Sequence, residues 1–93
     1  MPELSLAEIL AYIAANVRRL RAGKFTQQEL EAATGLDVQY IRKIERGRVN
    51  IKVDTLRRLA NALGVAPGAL LRKARLSPAK PGRPRKRQPR PRT

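Results

Sequence analysis

The chain of 93 residues has no cysteine, no histidine and no tryptophan, and its only aromatic side chains are Tyr12, Phe25 and Tyr40. Without cysteine there is neither a disulfide nor a thiolate metal site, and without histidine the commonest general base and metal ligand is missing. No metal and no other cofactor is expected. Acidic residues are also scarce, seven Asp or Glu against 21 Lys or Arg. They stand singly, and no nucleophile has a base beside it, so an enzyme is not expected. No run of about eighteen apolar residues occurs, and the beginning of the chain lacks the basic patch, apolar stretch and small-residue cleavage site of a secretory signal. The expectation is a soluble cytoplasmic protein with no membrane partner and no small-molecule ligand.

What the chain does have is a formal charge of +14. That exceeds what solubility needs, and its sign points to polyanions, nucleic acid first. A nucleoid-associated location follows. The charge is unevenly placed. Residues 1–71 carry eleven Lys or Arg and all seven acids, whereas residues 72–93 carry ten Lys or Arg and no acid. Five of the seven prolines lie between Pro78 and Pro91, and after Leu76 no large apolar side chain is available for burial. Two parts are expected: a folded domain over residues 1–76 and a disordered Pro/Arg/Lys-rich tail over residues 77–93.

The first part reads as all-α, a compact bundle of about five helices. Leu6, Ile9, Leu10, Ile13, Val17 and Leu20 recur at intervals of three and four and share one face of a helix from Ser5 to Arg21. Ser5 and Glu8 make a capping box at its start, and Gly23 ends it. Thr26 and Glu29 repeat the box for a short helix that must stop near Gly35. Asp37 caps a third helix over Val38–Arg46, closed by Gly47, with Ile41 and Ile44 inward. A fourth spans about Val53–Leu63 with Val53, Leu56, Leu59, Ala60 and Leu63 inward. Pro67 starts a short fifth helix carrying Leu70 and Leu71.

Helix, tight glycine turn, helix is a DNA-reading unit when the second helix carries long hydrogen-bonding side chains, because a helix fits the major groove. The pieces I-x-x-x-V-R-R-L-R, F-T-Q-Q-E-L, T-G-L-D, Y-I-R-K-I-E-R-G-R and T-L-R-R-L-A-N-A-L-G-V fill residues 13–71. Together they resemble the phage-repressor-like (Cro-like, or xenobiotic-response-element) helix-turn-helix domain. The resemblance implies double-stranded DNA as partner and the helix after Asp37 as the reading helix. It offers Val38, Gln39 and Lys43 as base-facing residues. Gln27 matches a phosphate-binding glutamine, and Arg42, Arg46 and Arg48 fall where backbone contacts are made. Gln39 suits adenine and Lys43 suits guanine N7 or O6. Tyr40 is expected to pack beside the turn or touch a phosphate. Glu45 is expected to be structural, pairing Arg42, Arg48 or a loop amide.

Three positions depart from that pattern. Glu31 replaces a small residue where the two motif helices meet, Thr34 replaces a large apolar residue before the turn glycine, and Lys52 replaces a serine cap. A shifted helix contact is expected, with Glu31 over the turn and reaching Arg42, or with Ala32 and Ala33 taking over the contact.

Within the basic part, Lys80 and Pro81-Gly82-Arg83-Pro84-Arg85-Lys86-Arg87 resemble an AT-hook, a short extended motif for the minor groove of A·T-rich DNA. Gly82 allows close approach, Pro84 keeps the chain extended, and Arg seeks the negative potential of a narrow groove. Pro81 occupies the place of the first core arginine. The alternative is a polybasic arm that follows phosphates without base preference.

The helix at the start of the chain is longer than such a domain needs. Leu6, Ile9 and Leu10, with Leu70 and Leu71, are candidates for a homodimer interface; packing onto the domain's own last helix is the competing expectation. The function expected first is a sequence-specific transcriptional regulator, a repressor above all. A nucleoid-type architectural protein, or an antitoxin or antirepressor acting through a protein partner or antagonist, would use the same residues differently.

Overall fold

A computed structural model describes residues 3–76, and in it the five expected helices form: α1 (Leu6–Arg21), α2 (Gln27–Thr34), α3 (Val38–Glu45), α4 (Val53–Leu63) and α5 (Pro67–Leu70). No strand occurs among the described residues. The basic tail, with Lys80, Gly82, Arg83, Pro84, Arg85, Lys86 and Arg87, lies outside them.

Both capping boxes are closed. The Ser5 hydroxyl accepts the Glu8 amide at 3.1 Å, and the Glu8 carboxylate accepts the Ser5 amide at 2.8 Å. At α2 the Thr26 hydroxyl accepts the Glu29 amide at 3.0 Å, and the Glu29 carboxylate accepts the Thr26 amide at 2.8 Å. Each box satisfies two of the amides that a helix start leaves without partners. Gly35 ends α2 at φ +77°, a left-handed backbone that glycine adopts without a Cβ penalty. Gly64 does the same for α4, and the Lys24 ammonium donates to the Leu63 carbonyl at 3.3 Å, placing a cation at the negative end of that helix.

The core follows from the apolar periodicity. Ile13 and Val17 of α1, Leu30 of α2, Ile41 and Ile44 of α3, Leu59 and Leu63 of α4 and Leu70 of α5 are buried together. Each such side chain contributes about 1.5–3 kcal/mol on removal from water. α3 packs on both α1 and α2, while α4 packs on α2 and α5. The reading helix of the motif is therefore held on two sides by its apolar face, and its remaining face is left to solvent.

Two assignments need correction, one inward and one outward. Val53 is 82% exposed. It lies in the first turn of α4, and helix side chains lean toward the N-terminus, so it points back past the start of the helix and off the bundle. Leu70, expected at a dimer interface, is fully buried in the core of its own chain and is closed to a second copy. Ile9 is half-buried against the same core, and Leu10 is half-buried. Leu4, Leu6 and Leu71 remain exposed.

The segment after α5 is tied down by one buried polar residue. Asn16 of α1 donates from Nδ2 to the carbonyls of Leu70 and Arg72, at 3.0 and 2.9 Å, and accepts from Arg19 at 3.1 Å. A buried amide with both ends satisfied fixes its partners in one arrangement. The chain then runs beside α1 as far as Leu76, whose side chain reaches the backbone at Gly47.

Candidate nucleic-acid interface

The turn between α2 and α3 is Gly35-Leu36-Asp37, and both departures from the expected pattern serve it. The Thr34 hydroxyl donates to the Leu30 carbonyl at 2.7 Å and accepts the Leu36 amide at 3.1 Å. A buried hydroxyl replaces an apolar side chain there without leaving a polar group unpaired. The Arg58 guanidinium adds a bond to the Thr34 carbonyl at 3.3 Å, joining α4 to the end of α2. Glu31 lies at the turn, one of the two arrangements expected from sequence, but it does not reach Arg42. Its carboxylate accepts the Val38 amide at 3.2 Å, while Asp37 accepts the Gln39 amide at 2.9 Å. Two carboxylates thus face the positive end of α3, and the larger residue at the helix contact acts as a second cap.

α3 has two faces of different chemistry. Ile41, Ile44 and Glu45 are buried, whereas Gln39, Lys43 and Arg46, spaced four and three apart, are exposed on one line. Arg48 follows exposed on the loop, its amide bonded to the Lys43 carbonyl at 3.1 Å. The side chains of Gln39, Lys43, Arg46 and Arg48 make no hydrogen bond or ion pair with another described residue, so their donors are available to a ligand. Val38 is half-buried at the start of the same helix, and Tyr40 packs against the core. Of the expected base-facing set, Gln39 and Lys43 are fully presented.

Glu45 is structural, but its partners are not those expected. Its carboxylate is 5% exposed and takes two bonds from Arg21, 2.5 Å from Nε and 2.9 Å from Nη2. It also accepts from Gln27 Nε2 at 3.1 Å. Gln27 in turn accepts from Arg42 Nε at 3.1 Å, and Arg21 also donates to the Phe25 carbonyl at 3.2 Å. The end of α1, the start of α2 and the middle of α3 are linked through one carboxylate. A bidentate guanidinium–carboxylate pair is the strongest geometry available to such a link.

This network lies beneath a cleft of about 280 Å³ lined by Arg18, Arg21, Gln27, Arg42, Glu45 and Arg46. The cleft opens at the start of α2, whose unpaired amides and dipole favour an anion. Gln27 and Arg42 thus stand where a phosphate would be expected, already oriented by protein partners. Arg18 and Arg21 belong to the same cleft and were not singled out from sequence. The one signal for Arg21 was the lone acid at Glu45 in a basic helix, which needed a cation 24 positions away.

On the far side of α2, Asp54 accepts from Arg57 and Arg58 at 2.8 and 3.0 Å. Those bonds, Arg57 first, hold its carboxyl below the usual value of 3.8. Lys52 gives α4 no side-chain cap.

The fold, the turn and the exposed basic line along α3 define a helix-turn-helix DNA-binding domain. A helix-turn-helix family model matches residues 17–70, and the chain belongs to that family, of the xenobiotic-response-element type, whose members are DNA-binding transcriptional regulators. It is 49% identical over 55 residues to an uncharacterized HTH-type transcriptional regulator of Sinorhizobium fredii, covering 58% of this chain and 71% of that protein. It is 41% identical over 70 residues to a hypothetical transcription factor of Neisseria meningitidis, covering 74% of this chain and 63% of that one. Among solved structures, a hypothetical transcription factor from Neisseria superposes with a TM-score of 0.68 at 35% identity, over 78% of this chain and 85% of the other. The restriction-modification controller protein C.AhdI from Aeromonas hydrophila gives 0.62 at 34% identity, over 66% and 94%. No helix among the described residues is long and apolar enough to cross a membrane.

Proposed function

We propose that this regulator represses transcription by occupying a specific operator, with Gln39 and Lys43, flanked by Val38, reading base edges in the major groove. The observation that carries this reading is the row Gln39, Lys43 and Arg46 along α3, exposed and without partners among the described residues while the opposite face is buried. Gln27, Arg42, Arg46 and Arg48 serve the sugar-phosphate backbone. Tyr40 is left to its hydroxyl edge, since its ring is packed. The restriction-modification controller among the similar structures supports control of such a gene system as one form of this role. The Pro/Arg/Lys-rich residues 77–93 add contacts to phosphates or to an A·T-rich minor groove.

Dimerisation belongs to the same reading. Leu4 and Leu6 are 50% and 55% exposed at the start of α1, and Leu71 is 44% exposed. A symmetric pair would place two reading helices about 10 bp apart or at a multiple of that spacing. Sedimentation of the Leu6→Glu, Leu10→Glu double variant decides it: a monomer mass is expected, and an unchanged dimer mass removes this face from the interface.

Base reading is tested by selecting duplexes from a random library at near-physiological salt and re-measuring the winner with single variants. Gln39→Ala and Lys43→Ala should each lose about 1–3 kcal/mol on the selected site and relax it at one position. Arg46→Ala should weaken all sequences alike. Failure to enrich any sequence would sink operator recognition in favour of an architectural role.

A further inference from the structure

A second basic groove lies outside the motif. It holds about 500 Å³ between the C-terminal half of α1 and the segment after α5, and Arg18, Arg19, Arg21 and Arg75 line it with no acid among its lining residues. Its floor is made by small side chains, Ala15, Ala22 and Ala74, with Leu76 at one end. Arg18 and Arg21 also line the cleft at the start of α2, so the two grooves adjoin at these two side chains. Arg21 is neutralised by Glu45, but Arg19 spends one nitrogen on Asn16 and keeps the rest of its fork, and Arg75 is exposed with no partner among the described residues.

The geometry points to a phosphodiester-backbone site in which α1 and the segment Arg72–Leu76 extend the grip on the operator beyond the helix-turn-helix. This inference rests on the proposed mode of DNA binding. Three features select a duplex backbone as the occupant. The groove adjoins, at Arg18 and Arg21, the cleft where the first phosphate is expected, as a strand running from one to the other requires. Its rim offers guanidiniums, which suit phosphate oxygens as planar forks. Its floor is alanine, which lets a bulky sugar-phosphate chain approach closely and gives deoxyribose carbons an apolar surface. The wall carrying Ala74 and Arg75 stands there because Asn16 holds the Leu70 and Arg72 carbonyls. Asn16 is thus a positioning residue for the groove.

The test uses the full chain and its selected operator. Each phosphate neutralised contributes about −0.9 to the log–log slope of affinity against salt, so Arg19→Gln with Arg75→Gln should make the slope shallower by about 1.8. Between 50 and 200 mM salt that amounts to a deficit shrinking about 12-fold. Ethylation interference should lose the phosphates flanking those at the start of α2 and keep the inner ones. Arg19→Lys with Arg75→Lys should restore the slope. Arg75→Gln alone leaves the Asn16 contacts intact and should still remove about half the effect. A selected operator bound by the double Gln variant with an unchanged slope and interference pattern overturns the groove while leaving operator recognition standing. A shallower slope with no phosphate lost from the interference pattern overturns it too, because that is general charge. If no operator can be selected at all, the underlying mode of binding has failed first.

Discussion

Replacing Glu45 by alanine would strip the network beneath the reading helix of its only acceptor carboxylate. Glu45 is 5% exposed and takes both bonds from an Arg21 side chain that is itself 20% exposed. Breaking a buried pair by removing one partner costs about 3–5 kcal/mol, because the charge left behind is uncompensated. Arg21 keeps some access to water, which puts the expectation at the lower end, about 3 kcal/mol. For a domain of this size each kcal/mol lowers Tm by about 4–8 °C, so Glu45→Ala should melt about 12–24 °C below the parent. Circular dichroism melts of the full chain give that number directly. An exposed pair contributes only about 0–1 kcal/mol, so a fall of under about 5 °C would refute the assignment of a buried, structural ion pair.

Arg21→Met sharpens the test, since methionine keeps an apolar stem without the charge. The double variant Arg21→Met, Glu45→Ala should be more stable than Glu45→Ala alone, as the orphaned guanidinium is gone. If the two single losses simply add, Arg21 and Glu45 do not interact in solution.

Two further outcomes are expected from local geometry. Gly35 and Gly64 have similar backbones at φ +77° and +73°, but a Cβ at Gly35 would stand 3.4 Å from the Arg58 guanidinium, whereas at Gly64 nothing lies within 4 Å. Gly→Ala should cost about 1–2 kcal/mol at either site, and urea titration should show Gly35→Ala at least as costly, with Arg58→Ala erasing any excess. The carboxyls of Glu8 and Asp54 are held below their usual values of 4.5 and 3.8, the first by the Ser5 amide and hydroxyl, the second by Arg57 and Arg58. A lowered folded pKa contributes stability that is present above the unfolded value and lost as pH falls through the folded one. The acid limb of the stability–pH curve should therefore flatten in the Glu8→Gln, Asp54→Asn double variant; an unchanged limb would show that neither bond persists in solution.

Local chemistry was readable in the sequence wherever a short spacing carried it. Both capping boxes, the helix ends at Gly35 and Gly64, and the inward pair Ile41 and Ile44 all depend on neighbours within one or two turns. Contacts between elements were harder. That Glu45 would be structural was readable, but the choice of Arg21 over Arg42, Arg48 or a loop amide depends on how α1 crosses α3, which no periodicity encodes. The partner of Glu31 was hidden for the same reason: from α2 its carboxylate takes the first amide of α3 rather than the guanidinium of Arg42. Asn16 gave no signal at all, since an asparagine in an amphipathic helix reads as surface until the segment after α5 is laid across it.

The distribution of acids explains why the charge of this domain is useful rather than merely large. Glu8 and Glu29 close capping boxes, Glu31 and Asp37 take the first amides of α3, Glu45 holds Arg21 and Gln27, and Asp54 holds Arg57 and Arg58. Six of the seven acids are thus committed to backbone amides or to cations away from the exposed line of α3. Glu3 is the seventh, at the start of the chain. Lys43, Arg46 and Arg48 are left with no carboxylate partner among the described residues, so the face that carries the side chains proposed to read bases keeps its positive field. A carboxylate introduced there would repel the duplex and draw Lys43 or Arg46 out of its presented conformation. The neutral Gln39, whose amide is capped from behind by Asp37, is the side chain proposed to turn that attraction into a choice of base.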